Sequence, residues 1–166
     1  MAENAAAAVE RKFDTYAAYR EQFLDALRNT RRSLLIFDRD LAHTALESRD
    51  GIEALDTLAR DVVGEEPIRI LVSTATHIEQ SCPRLLKLVE RYSPRMRIKV
   101  VAEGAAHPDG CFLIGDGRVL VTRFHLDRAR GKRVDGASPD IARNAAQFET
   151  MWISAKIGPS GAALGI

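Results

Sequence analysis

Apolar positions recur along this chain in two alternating rhythms, one helical and one short and continuous. Tyr16, Tyr19, Phe23 and Leu27 fall at helical spacing and predict a helix over 14–30. The unbroken run Leu34-Leu35-Ile36-Phe37, closed by Asp38, predicts a buried strand over 33–38. Ile52, Leu55, Leu58 and Val62 mark a second helix over 51–63, with Asp50 and Glu53 spaced as a capping box and Gly64 as its stop. Further apolar runs predict strands over 68–73 and 97–102. Between them a helix ends near Tyr92, before Ser93-Pro94. Its start has two readings. Thr76 with Glu79 as a capping box puts Pro83 inside the helix, whereas Ser81 as N-cap puts Pro83 in the first turn. Two short runs, 111–114 and 119–123, flank Gly115-Asp116-Gly117, a strong hairpin signal. Ser138-Pro139 opens a last helix whose inner face is Ile141, Ala145, Phe148 and Trp152.

Helices alternating with buried strands predict an α/β fold. It is a mixed, mostly parallel sheet flanked by helices on both faces, with a late β-hairpin. The domain covers 14–156. Residues 1–13 are expected to be a flexible N-terminal extension, and 157–166, rich in Gly and Ala, a flexible C-terminal tail.

Composition narrows the function classes. At 166 residues, 46% hydrophobic and 28% charged, the chain reads as one globular domain. A formal net charge of +1 supplies no global field toward nucleic acid or membrane. No apolar run approaches the roughly 20 residues of a membrane helix. Cys82 and Cys111 form no CxxC, which fits a reducing cytoplasm. The N-terminus lacks the positive start of a signal peptide.

The hairpin carries a resemblance. Cys111-Phe112-Leu113-Ile114-Gly115-Asp116-Gly117-Arg118-Val119-Leu120-Val121 resembles the active-site hairpin of the phospholipase D-like (HKD) phosphodiesterase superfamily. The family pattern is H-x-K-x4-D-G, an apolar strand, then G-S-x-N. Registered on Asp116-Gly117, the nucleophilic His position holds Asp109 and the Lys position holds Cys111. The Gly-Ser pair falls on Thr122-Arg123 and the Asn on His125. The closing helix with Phe148-Glu149 and Trp152 is similar to the end of such a unit, and the resemblance spans 16–155. The chain is also similar to uncharacterised bacterial domains of this type. The resemblance implies a phospholipase D-like fold, a degenerate HKD motif, and a homodimer paired across a two-fold axis.

The family's histidine attacks phosphorus, a second histidine protonates the leaving oxygen, and Lys and Asn stabilise charge on the phosphoryl oxygens. Asp109 would repel an anionic phosphodiester, and Cys111 brings no positive charge at neutral pH. The expected function is therefore a non-catalytic binding or interaction module. A residual or repurposed phosphodiesterase acting on a phosphorylated substrate is the alternative. His107, before Pro108, reads as a loop histidine outside the motif register.

Asp109, Cys111, Asp116, Arg123, His125 and Glu149 are the candidate pocket residues at one mouth of the sheet. Arg123 with Asp116 or Glu149 is the candidate buried ion pair. Their spacing matches no metal-ligand pattern, and no metal or cofactor is expected. The stretch 118–133 holds six basic residues against one acid, Asp127. Arg123, Arg128, Arg130, Lys132 and Arg133 are its candidate anion-binding set, for a phosphate-bearing ligand or nucleic acid. A solvated loop explains the same residues equally well. Asp38-Arg39-Asp40 resembles the start of a haloacid-dehalogenase motif, but Ala42 stands where its Thr belongs. His43 and His77, also placed after strands, carry no assigned role.

Overall fold

The computed structural model describes residues 7–160. Its elements are β1 (Val9–Phe13), α1 (Tyr16–Asn29), β2 (Leu34–Asp38), α2 (Arg49–Asp61), β3 (Ile68–Val72), α3 (Thr76–Ser81) and α4 (Pro83–Tyr92). They continue with β4 (Met96–Val100), β5 (Cys111–Gly115), β6 (Val119–Arg123), β7 (Gly131–Asp135), α5 (Pro139–Ser154) and β8 (Lys156–Ile157). One eight-stranded sheet runs β1-β7-β6-β5-β2-β3-β4-β8. Only β2–β3 and β3–β4 pair in parallel; the other five pairings are antiparallel. The sheet is thus mixed as expected, but parallel only where helices cross over between strands. Antiparallel neighbours need no crossover.

Strand side chains alternate between two cores. Leu34, Ile36, Ile70, Val72, Ile98, Leu113 and Val121 pack under α1, α2, α3 and α4. Leu35, Phe37, Leu71, Phe112, Ile114, Leu120 and Val134 pack under α5, against Phe148 and Trp152. Helices therefore cover both faces. The helix stripes follow the sequence reading closely. Thr15 caps α1, its side chain accepting from the Ala18 N–H, and Ser48 rather than Asp50 caps α2. Both readings around Pro83 are partly right. A helix begins at Thr76, breaks at Cys82, and restarts with Pro83 at its first turn, where the missing N–H is harmless.

Three strands depart from the sequence reading. Val9–Phe13, expected in an extension, pairs along its full length with β7. Gly131–Asp135, read as loop, is β7 itself, between β1 and β6. Lys156–Ile157 closes the other edge against β4. The reason is common to all three. Of β1 only Phe13 is buried, β8 is exposed, and β7 carries charges, so no apolar period marks them. Residues 7–8 and 158–160 of the two expected flexible ends belong to no helix or strand, and 1–6 and 161–166 lie outside the described residues.

Candidate functional site: a buried ion pair beside the hairpin strands

The hairpin turn forms as its residues demand. Asp116 and Gly117 both have positive φ, 54° and 64°, and the Arg118 N–H donates to the Gly115 carbonyl at 2.9 Å. Asp-Gly suits such a turn because Asp tolerates the left-handed region and Gly has no Cβ. The Asp116 carboxylate has a structural task. It accepts from the backbone N–H groups of Arg31 at 3.0 Å, Arg32 at 2.6 Å and Ser33 at 3.0 Å. It thus braces the turn against the link between α1 and β2. Asp116 lies five residues along the strand from Cys111, about 16 Å away, so it takes no part in a pocket with Asp109 or Cys111.

At the opposite end of β5 and β6, Asp38, Cys111 and Arg123 share the face covered by α1, since 34, 36, 38 and 119, 121, 123 alternate inward. Arg123 is fully buried, and Asp38 and Cys111 are nearly so. The guanidinium Nη2 lies 3.5 Å from Asp38 Oδ2. Nη1 donates to three carbonyls of the following loop, Leu126 at 3.0 Å, Arg128 at 3.2 Å and His125 at 3.5 Å. The guanidinium carbon sits 4.8 Å from the Tyr19 ring centroid and 5.7 Å from that of Tyr16. Tyr16 in turn stacks on His43 at 4.4 Å. Of the three guanidinium nitrogens of Arg123, Nε has no partner among the described residues.

This arrangement is a plug. Burial pushes the Asp38 carboxyl above its ordinary range, and Arg123 only partly opposes that shift. Burial, with Asp38 nearby, pushes the Cys111 thiol up to about 12, so it is a neutral thiol at physiological pH. Burial likewise raises the Tyr19 phenol. The expected ion pair of Arg123 exists, but its partner is Asp38, not Asp116 or Glu149.

The remaining candidates scatter. Asp109 and His125 are exposed on adjoining loops, tied by the Leu126 N–H donating to the Asp109 carbonyl at 2.9 Å. Glu149 lies on α5, across the sheet, where both its oxygens meet Arg69 of β3. That guanidinium holds the Glu149 carboxyl below its usual range. Of the basic set, Lys132 pairs with Glu10 at 3.1 Å and Asp140 at 2.7 Å, and Arg133 pairs with Asp25 and Asp135. Arg128 and Arg130 are exposed and enter no ion pair among the described residues. In the sequence Tyr16 and Tyr19 show only as part of the α1 stripe, and Asp38 only as the start of an incomplete haloacid-dehalogenase motif. An arginine at an inward strand position was the signal that could have found their joint role, because it requires a buried acceptor.

No group of three or more His, Cys, Asp or Glu side chains is placed to hold a metal among the described residues. No helix among them is long and apolar enough to cross a membrane.

The fold is shared with phospholipase D-like proteins. NucT from Helicobacter pylori matches with a TM-score of 0.64 at 13% identity, over 92% of this chain and all of that one. Nuc from Salmonella typhimurium, a phospholipase D family member, matches with a TM-score of 0.62 at 11% identity, over 93% of this chain and all of that one. TrmBL2, an archaeal chromatin protein with a novel mode of DNA binding, matches with a TM-score of 0.64 at 14% identity. That match covers 94% of this chain, which spans 56% of TrmBL2. No curated protein matches the sequence. The sequence does match one domain family over residues 15–160, and the chain therefore belongs to DUF7931, a domain of unknown function.

Proposed function

We propose that this chain is a non-catalytic phospholipase D-like module, with a degenerate HKD motif, that works by binding. The carrying observation is the plug: Arg123, sealed between Asp38 and Tyr19, fills the inner face beside Cys111. A phosphodiester would need that space open and lined by cationic donors directed at its oxygens. Here the one cation in place spends its donors on Asp38 and on three loop carbonyls. The binding unit is the domain 14–156, joined by β1. Its binding face is the loop 124–130, which Arg123 grips from beneath while Phe124, His125, Arg128 and Arg130 stay exposed. Loops held on a rigid scaffold are where recognition concentrates. The test is hydrolysis of bis(p-nitrophenyl) phosphate by the full chain, with Asp109→Ala and His125→Ala as controls. The expected rate equals that of buffer. Turnover abolished by either substitution overturns the proposal and restores the residual phosphodiesterase.

A second reading names the ligand as a phosphate-bearing polymer, held by Arg128 and Arg130. Two observations favour it: both cations are free of acidic partners among the described residues, and TrmBL2, of the same fold, binds DNA. Oligonucleotide affinity measured against salt tests it. Binding should appear at low salt, fall as salt rises, and weaken in Arg128→Glu/Arg130→Glu. No binding at low salt removes this reading.

A further inference from the structure

The two edges of the sheet are finished differently. At one edge β8 and the Gly158 N–H, which donates to the Ile98 carbonyl at 3.0 Å, cover β4. At the other, β1 is paired on one side only. Among the described residues no strand meets its outer edge. The first four of its five residues are exposed, with Val9 at 55%. A free edge of this kind is a template for another strand.

We propose that β1 is the seam of a symmetric dimer, pairing antiparallel with β1 of a second copy and joining two eight-stranded sheets into one. The charge order along the strand carries the choice of occupant. A two-fold axis normal to the sheet keeps each face on its own side, so only residues of equal parity can oppose each other. An axis through Glu10 opposes that carboxylate to its own copy, and an axis through Lys12 does the same with the ammonium. An axis through Arg11 overlaps all five residues. It sets Val9 opposite Phe13 of the second copy, and Glu10 opposite Lys12 of the second copy, twice over. Directly opposed unlike charges stabilise antiparallel pairs.

The single like pair in this register, Arg11 with its copy, has compensation at hand. Arg11 lines a cleft of about 330 Å³ together with Glu21, Asp25 and Arg28 of α1. It stands opposite Arg133 of β7, which Asp25 and Asp135 already hold, so Glu21 is the carboxylate left to face the axis. On the other face the row Glu10, Lys132, Asp140 already alternates in sign, at 3.1 and 2.7 Å. Lys12 of the second copy extends the row. This seam differs from the pairing implied by the resemblance, in which two motifs face each other across the axis. It is also independent of whether the Asp38–Arg123 site is catalytic.

The test uses the full chain. Sedimentation across a range of concentrations should give twice the 18.3 kDa chain mass. Glu10→Lys and Lys12→Glu should each weaken the dimer about tenfold, and the double exchange should return it to within about threefold of wild type. Oxidation with copper phenanthroline reads the register. Residue 11 meets its own copy at about 4.5–5.5 Å between Cα atoms, within disulfide reach. Arg11→Cys should therefore cross-link, and Val9→Cys should not, while the buried Cys82 and Cys111 stay silent. A wild-type monomer throughout, a double exchange no better than the singles, or equal cross-linking at positions 9 and 11 would each overturn the proposal.

Discussion

Arg123→Met perturbs the plug most directly. It removes the cation paired with Asp38, a carboxylate that is 2% exposed. Breaking a buried ion pair from one side costs about 3–5 kcal/mol, because the stranded charge cannot be resolvated. The three loop carbonyls also lose their donor, but they lie near the surface and water can replace much of it, adding about 1 kcal/mol or less. Asp38→Asn should cost less, about 1–2 kcal/mol, since the guanidinium keeps its carbonyls and the tyrosine faces. The combined Arg123→Met/Asp38→Leu variant leaves neither charge behind. It should fall within about 2 kcal/mol of wild type, well short of the sum of the single changes. Urea unfolding at neutral pH, followed by circular dichroism, measures all three. If Arg123→Met costs under about 1 kcal/mol, or if the double variant is additive, the two groups are not a coupled buried pair, and the plug is misread.

Two further outcomes follow from the same geometry. Asp116→Ala should destabilise by about 2–3 kcal/mol, through three lost backbone hydrogen bonds and the loss of the local side-chain bonding that lets Asp tolerate positive φ. Asp116→Gly should cost about 1 kcal/mol less, because it loses the same hydrogen bonds but has no Cβ to strain at positive φ, and equal urea midpoints for the two would refute the turn's role. Cys111, pushed up to about 12, and Cys82, to about 11, should not react with Ellman's reagent at pH 8 in the folded protein. Both should react at once in urea, and native-state labelling of Cys111 would show that the plug opens.

How much of this was legible in the sequence depended on where the information lay. Tyr19, Phe23 and Leu27 face the core at the spacing that predicted them, and the Asp-Gly turn sits where its residues placed it. Local chemistry was enough there. The β7 strand was not legible, because Lys132 and Arg133 find partners at Glu10, Asp140, Asp25 and Asp135, and distant pairing makes a charged segment behave as interior. The site failed for a related reason. Six polar residues near one motif suggested convergence, yet Asp116 belongs to the far end of the strand and Glu149 to the other face of the sheet. Counting parity along β2 and β6 puts Asp38 and Arg123 on one face. That count needs the strand pairing, which sequence spacing alone does not supply.

The grip of one arginine on the loop 124–130 has a consequence for how this surface can change. The loop takes its shape from contacts between its own backbone and a side chain rooted in β6. Its outward residues contribute little to that shape. Phe124, His125, Asp127, Arg128 and Arg130 can therefore be exchanged, singly or as a set, while the turn beneath them keeps its path. The loop is a natural grafting point, where a new recognition sequence can be written without rewriting the scaffold.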